Sequence, residues 1–187
     1  MSPSCEVKVR FYPPPAVLRR YFTTFYLAEW TLPDGERLTD HLLPEWANLR
    51  FHSGGIPFAE NLDGRLLQPT AFPVTGPSTQ SMRFSVGSSR MWGIGLLPLG
   101  WAKFIRADAK DYANLAVDGF TDPAFTSFVP LARSLFGDSP DELAELERIC
   151  AHFVGTGTAP DDPNGHQVLP RAERLGGGRP RTLRRCR

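Results

Sequence analysis

Residues 74–107 of the 187-residue chain, VTGPSTQSMRFSVGSSRMWGIGLLPLGWAKFIRA, read as a hairpin that feeds directly into a helix. Met82, Phe84 and Val86 alternate with Ser81, Arg83 and Ser85, the period of a strand with one dry and one wet face. Gly87-Ser88-Ser89 supplies the turn. From Met91 to Leu97 both faces are apolar, with Trp92, Ile94 and Leu96 on one and Met91 and Leu97 on the other, which predicts a central strand covered from both sides. Pro98 and Gly100 stop the ladder, and Trp101, Phe104 and Ile105 recur at helical spacing, so strand gives way to helix within a few residues. A sheet must therefore pack on the helix that follows it.

Upstream, Pro13-Pro14-Pro15 forbids a central strand and sets an extended approach to a short helix near Ala16. Tyr21 to Leu32 is aromatic and β-branched, a strand closed by the turn Pro33-Asp34-Gly35. Thr39–Leu43 and Ala47–His52 read as strands divided by Pro44-Glu45-Trp46, and Gly54-Gly55 ends the second. A polar turn between Pro57 and Arg65 precedes a short strand at Leu66-Leu67, which brings the expectation to about seven or eight short strands, a barrel or a sandwich.

Helices come afterwards. Residues 108–121 read as a loop with a helical turn; Asp122-Pro123 starts a helix that Pro130 kinks or restarts. Ser139-Pro140-Asp141-Glu142 is a capping box, followed by an apolar stripe of Leu143, Leu146, Ile149, Cys150 and Phe153. The fold class is α+β, short strands followed by carboxy-terminal helices. At Gly155 the composition turns to GTGTAPDDPNGHQ. This divides the chain into a domain at residues 1–154, a flexible linker at 155–170 and a basic tail at 171–187.

An apolar fraction of 41% is ordinary for a globular chain, and neither a signal sequence nor a membrane-length apolar run is found, so the expected location is the cytoplasm. Cys5, Cys150 and Cys186 are odd in number and fall outside any C-x-x-C spacing, which predicts reduced thiols. The net charge of +1 hides an asymmetry: residues 171–187 hold seven Arg and one Glu, while residues 1–170 carry a charge of −5. A cationic tail on an acidic body suggests a polyanion partner, nucleic acid above all, although such runs are also commonly only solvated.

A metal site of the cupin kind needs further ligands beyond His41, which follows Gly35 at the right spacing. Leu43 stands at the second His position, and Ala47 and Asn48 stand where the carboxylate belongs. No metal and no cofactor are expected. A G-x-S-x-G elbow and a P-loop are both missing, and Cys150 and His152, two apart on a helix, face different directions. The chain does not read as an enzyme. Trp30, Trp46, Phe51, Phe72, Phe84 and Trp92 either fill the core or line a cavity for a small ligand; of these Trp46, Phe51 and Trp92 are the candidate ligand-binding residues, Trp46 because it stands at a turn beside Pro44. In the tail, Arg171-Ala172-Glu173-Arg174-Leu175-Gly176 and then Arg181-Thr182-Leu183-Arg184-Arg185 read as a helix-turn-helix or as an unstructured Arg-rich tail.

Arg10-Phe11-Tyr12-Pro13-Pro14, Glu29-Trp30, Leu42-Leu43-Pro44-Glu45 with Asn48-Leu49-Arg50-Phe51, Thr75-Gly76-Pro77-Ser78-Thr79, and Gly93-Ile94-Gly95-Leu96-Leu97-Pro98-Leu99-Gly100 together resemble the amino-terminal sensor domain of AraC-type bacterial transcription regulators. The resemblance covers about residues 8–154. It implies a cupin-like β-barrel used for effector binding or homodimerisation, no enzymatic activity, and a linker to a DNA-binding domain. It also implies that Arg179, Arg181, Thr182, Arg184 and Arg185 lie on or near a DNA-reading helix. Leu43-Pro44-Glu45-Trp46 departs from the family's Leu-Pro-Asp-Gly, Gly177-Gly178 and Pro180 are poor helix material, and the second helix-turn-helix is absent before Arg187, the pattern of a truncated or decayed regulator or an incomplete gene model. Two other readings stay open. One is a stand-alone ligand-binding or dimerisation module; the other is a small cupin-like enzyme, which would need two or more polar strand residues converging on one cavity.

Overall fold

Central placement of the Met91–Leu97 run is the organising fact of the fold. The computed structural model describes residues 5–60, 64–157 and the backbone of 181–183, and the counts that follow refer to these. The larger of two antiparallel sheets has seven strands, in the order β10 (Ala116–Asp118), β7 (Pro73–Thr75), β4 (Asn48–Gly54), β9 (Ser89–Leu96), β2 (Phe22–Thr31), β1 (Glu6–Tyr12) and β11 (Arg181–Leu183). The smaller has four, β3 (Leu38–Leu42), β8 (Met82–Val86), β5 (Phe58–Glu60) and β6 (Leu66–Leu67), in that order. No ladder joins the two sheets, so the arrangement is an open sandwich rather than a closed barrel.

The hairpin expected from Gly87-Ser88-Ser89 does not form. β9 is bonded to β2 along one edge and β4 along the other, which leaves β8 no edge to pair with; β8 joins β3 and β5 in the smaller sheet instead. Gly87 and Ser88 carry the chain between the sheets. The crossing is tight: the Gly55 amide donates to the Ser88 carbonyl at 2.7 Å, and a Cβ on Gly55 would come within 2.7 Å of the Gly87 backbone. Two short strands, β5 and β10, form where a turn and a loop are expected, and a third, β7, forms at the start of the stretch expected to lead into the hairpin.

Register puts Leu27, Trp92 and Phe51 in one row across β2, β9 and β4. That row and its neighbours Phe25, Leu49, Ile94 and Leu96 bury themselves against α1 (Pro98–Phe104), α2 (Val129–Ser134) and α3 (Glu142–Gly157) through Trp101, Phe104, Leu131, Leu146, Ile149 and Phe153. Each fully buried side chain of this size contributes about 1.5–3 kcal/mol. The Asp122 side chain accepts from the Ala124 amide at 2.9 Å to start a 3-10 turn, and Pro130 restarts the chain as α2. In α3 the cap is Asp141, which accepts from the Ala144 amide at 3.1 Å, rather than Ser139. The helix runs on to Gly157, past the expected linker boundary at residue 155. Leu143 is exposed, while Glu145, unremarked in the sequence, is buried.

Cys5 is disulfide-bonded and Cys150 is free, so the expectation of reduced thiols fails for Cys5. Local spacing does not foresee this because β11 returns the far end of the chain alongside β1, pairing Leu183 with Val7. Residues 158–170 of the expected linker lie outside the described residues.

Candidate functional site

Strand parity gives the larger sheet a second face. Where Leu27, Leu49, Phe51 and Trp92 point to the helices, the alternate residues Ala28, Arg50, His52 and Met91 point towards the smaller sheet. Between the sheets lies a cavity of about 280 Å³. Phe11, Tyr26, Trp30 and Ala28 form its wall from β1 and β2, Phe58, Phe84 and Val86 face them from β5 and β8, and Arg50, His52 and Thr75 close it on the β4–β7 side.

Glycines on β9 let side chains of β2 close onto its backbone. A Cβ on Gly93 would lie 2.0 Å from the Tyr26 ring, and one on Gly95 would lie 2.2 Å from Thr23 Oγ1. Glycine at Gly93 therefore lets the phenol ring lie against the strand backbone. Its hydroxyl donates to Asn48 Oδ1 at 3.4 Å. Burial raises the Tyr26 pKa, against the opposing pull of Arg50, so the phenol stays protonated.

Arg50 is only 5% exposed, and its cation is answered locally. One guanidinium nitrogen donates to Thr75 Oγ1 at 2.7 Å and another pairs with the Glu45 carboxylate, whose second oxygen accepts from Asn48 Nδ2 at 2.9 Å. Burial works against the Arg50 charge, and Tyr26 and Glu45 outweigh it, so the guanidinium remains charged. His52 is different. Its ring lies 15° from the plane of Trp30 with centroids 6.3 Å apart, and its Nδ1 is buried with no hydrogen-bond partner. Burial first, and the Arg50 charge second, lower its pKa to about 3, which keeps the imidazole neutral.

The candidate residues from the sequence are not at this cavity. Phe51 and Trp92 are fully buried on the helix face, and Trp46 is 53% exposed outside the cavity wall. For Phe51 and Trp92 the physical reason is parity: a side chain large enough to suggest a ligand wall fills the core when its strand turns it to the helices, whereas Trp46 stands in the loop between β3 and β4. Trp30 and Phe84, from the wider set of aromatics, do line the cavity. Arg50 and His52 were missed, although they alternate with Leu49 and Phe51 in a strand that was correctly read; a polar face is ordinarily taken for a wet one, and here it faces a second sheet. His41 is exposed on β3, and among the described residues no group of three His, Cys, Asp or Glu side chains gathers as a metal would need.

Arg181 and Thr182 lie in the strand β11, not on the helix that the resemblance implies; the backbone donors of β1 capture them as an added strand. Arg179, Arg184 and Arg185 lie outside the described residues. Among the described residues no helix is long and apolar enough to cross a membrane. No family model, curated protein or solved structure matches the chain.

Proposed function

We propose that the chain is a small-effector sensor of the AraC regulator type, with a cupin-like sandwich that binds the effector between its sheets and a basic tail that contacts DNA. The observation that carries this reading is the inter-sheet cavity, apolar over most of its wall and polar at its β4 side. Several polar residues converge there, which is also what an enzyme would need. Binding is favoured over catalysis because Arg50 is already paired with Glu45, and an imidazole with a pKa of about 3 is a weak base at neutral pH. Homodimerisation through the sensor belongs to the same reading, and so does a cytoplasmic location, against which the disulfide at Cys5 weighs.

A stand-alone ligand-binding module is the second reading, favoured by the extension of the sheet through β11. Titrating random duplex DNA, at two salt concentrations, against the intact chain and a chain ending at Gln167 separates the two. The regulator reading expects binding by the intact chain alone, weakening with salt as released counterions dictate. Equal binding by both chains, or none at low salt, leaves the stand-alone module.

A further inference from the structure

Resting on the reading of the inter-sheet cavity as an effector site, we propose that its ligand is a compact, uncharged molecule of the alkylphenol class, whose hydroxyl is received by His52. The walls set the class of body. Aromatic side chains on both sheets, among them Tyr26, Trp30 and Phe84, suit a flat ring, and a volume of about 280 Å³ is at the lower end of what ligand sites offer.

Charge sets the rest. The cation at the cavity is Arg50, and its guanidinium is held by Glu45 and by Thr75 Oγ1 at 2.7 Å. A ligand carboxylate would have to displace Glu45 or bring a second negative charge into a poorly solvated space, and it would lose its own hydration in doing so. His52 offers the opposite arrangement. Its ring lines the cavity beside Trp30, and its Nδ1 is buried with no hydrogen-bond partner among the described residues. A neutral imidazole has one nitrogen that accepts, so a hydroxyl donor satisfies an atom that the fold leaves unsatisfied.

Calorimetric titration of the full chain with 4-ethylphenol, ethylbenzene and 4-ethylbenzoate tests this, with melting curves to check that each variant folds. The proposal expects 4-ethylphenol to bind tightest, roughly three- to tenfold over ethylbenzene as one hydrogen bond allows, and 4-ethylbenzoate weakest. His52→Phe should bring 4-ethylphenol down to the ethylbenzene level, His52→Gln should keep the preference, and Ala28→Phe, which fills the cavity, should abolish all binding. Tightest binding of 4-ethylbenzoate, or a phenol preference that survives in His52→Phe, overturns the ligand class. The neutral dye N-phenyl-1-naphthylamine separates this from failure of the site. If the dye binds the native chain and not Ala28→Phe while the three probes do not bind, the class is wrong and the cavity stands as a site; if the dye fails too, both readings fall.

Discussion

The indole Nε1–H of Trp92 donates to the Glu145 carboxylate at 2.7 Å, joining the middle strand of the larger sheet to α3. The same carboxylate meets Arg90 at 2.8 Å; Arg90 also pairs with Glu29, and Arg10 bridges Glu29 at 2.7 Å and Glu142 at 2.8 Å. These contacts bind the helix layer to β1, β2 and β9 by charge as well as by apolar packing.

Removing Glu145 strips one partner from a buried pair, since its side chain is 1% exposed and that of Arg90 12%. Glu145→Ala should cost about 3–5 kcal/mol, and Glu145→Gln less, because an amide oxygen still accepts from the indole. Urea denaturation followed by tryptophan fluorescence measures both. A loss below about 1 kcal/mol for the alanine variant would show that the pair is not a stability element.

Acid should weaken the fold through His52. Its pKa is about 3 in the folded chain and close to the ordinary value of about 6.5 when unfolded, so between those values the unfolded chain binds more protons. The stability is full above about pH 6.5 and is lost as pH falls towards 3. The expected loss from this group between pH 8 and pH 5 is about 2 kcal/mol. His152, whose pKa burial also lowers, adds loss of the same sign. Urea midpoints for the native chain and His52→Phe at both pH values isolate the His52 share, and parallel curves would refute it.

Gly93→Ala should destabilise by about 1–3 kcal/mol, because the new Cβ meets the Tyr26 ring at 2.0 Å and β9 is held on both edges. If the ring is the obstacle, adding Gly93→Ala to a Tyr26→Ala chain should cost little further. Equal costs in the two backgrounds, measured as a double-mutant cycle, would point to the strand backbone instead.

Glu45→Gln removes the carboxylate that answers Arg50. The cavity should then gain affinity for 4-ethylbenzoate by about tenfold, the worth of a hydrogen bond to a charged group. Unchanged affinity would mean that Arg50 is out of the ligand's reach.

The sequence makes β9 and α1 legible because each carries its periodicity without interruption, and the core of Trp92, Ile94, Leu96, Trp101 and Phe104 follows from that. Turn chemistry at Gly87-Ser88-Ser89 is local, whereas pairing depends on which edges are already taken, so a two-sheet crossing and a hairpin look alike. β5, β7 and β10 have three residues each, too few for a period to show. The cavity was hidden for a related reason. A void is made by what is missing, here bulk at Ala28, while attention to large aromatics leads to the packed side of the same strands.

Because one sheet carries the packed core on one side and the cavity on the other, alternate positions of β2 and β4 answer to separate demands. Phe25, Leu27, Leu49 and Phe51 are constrained by the helices; Tyr26, Ala28, Trp30, Arg50 and His52 are constrained by whatever occupies the space between the sheets. A library that randomises only the second set would explore new chemical preferences on an unaltered scaffold. Drift in preference during divergence should be recorded in every other residue of these two strands.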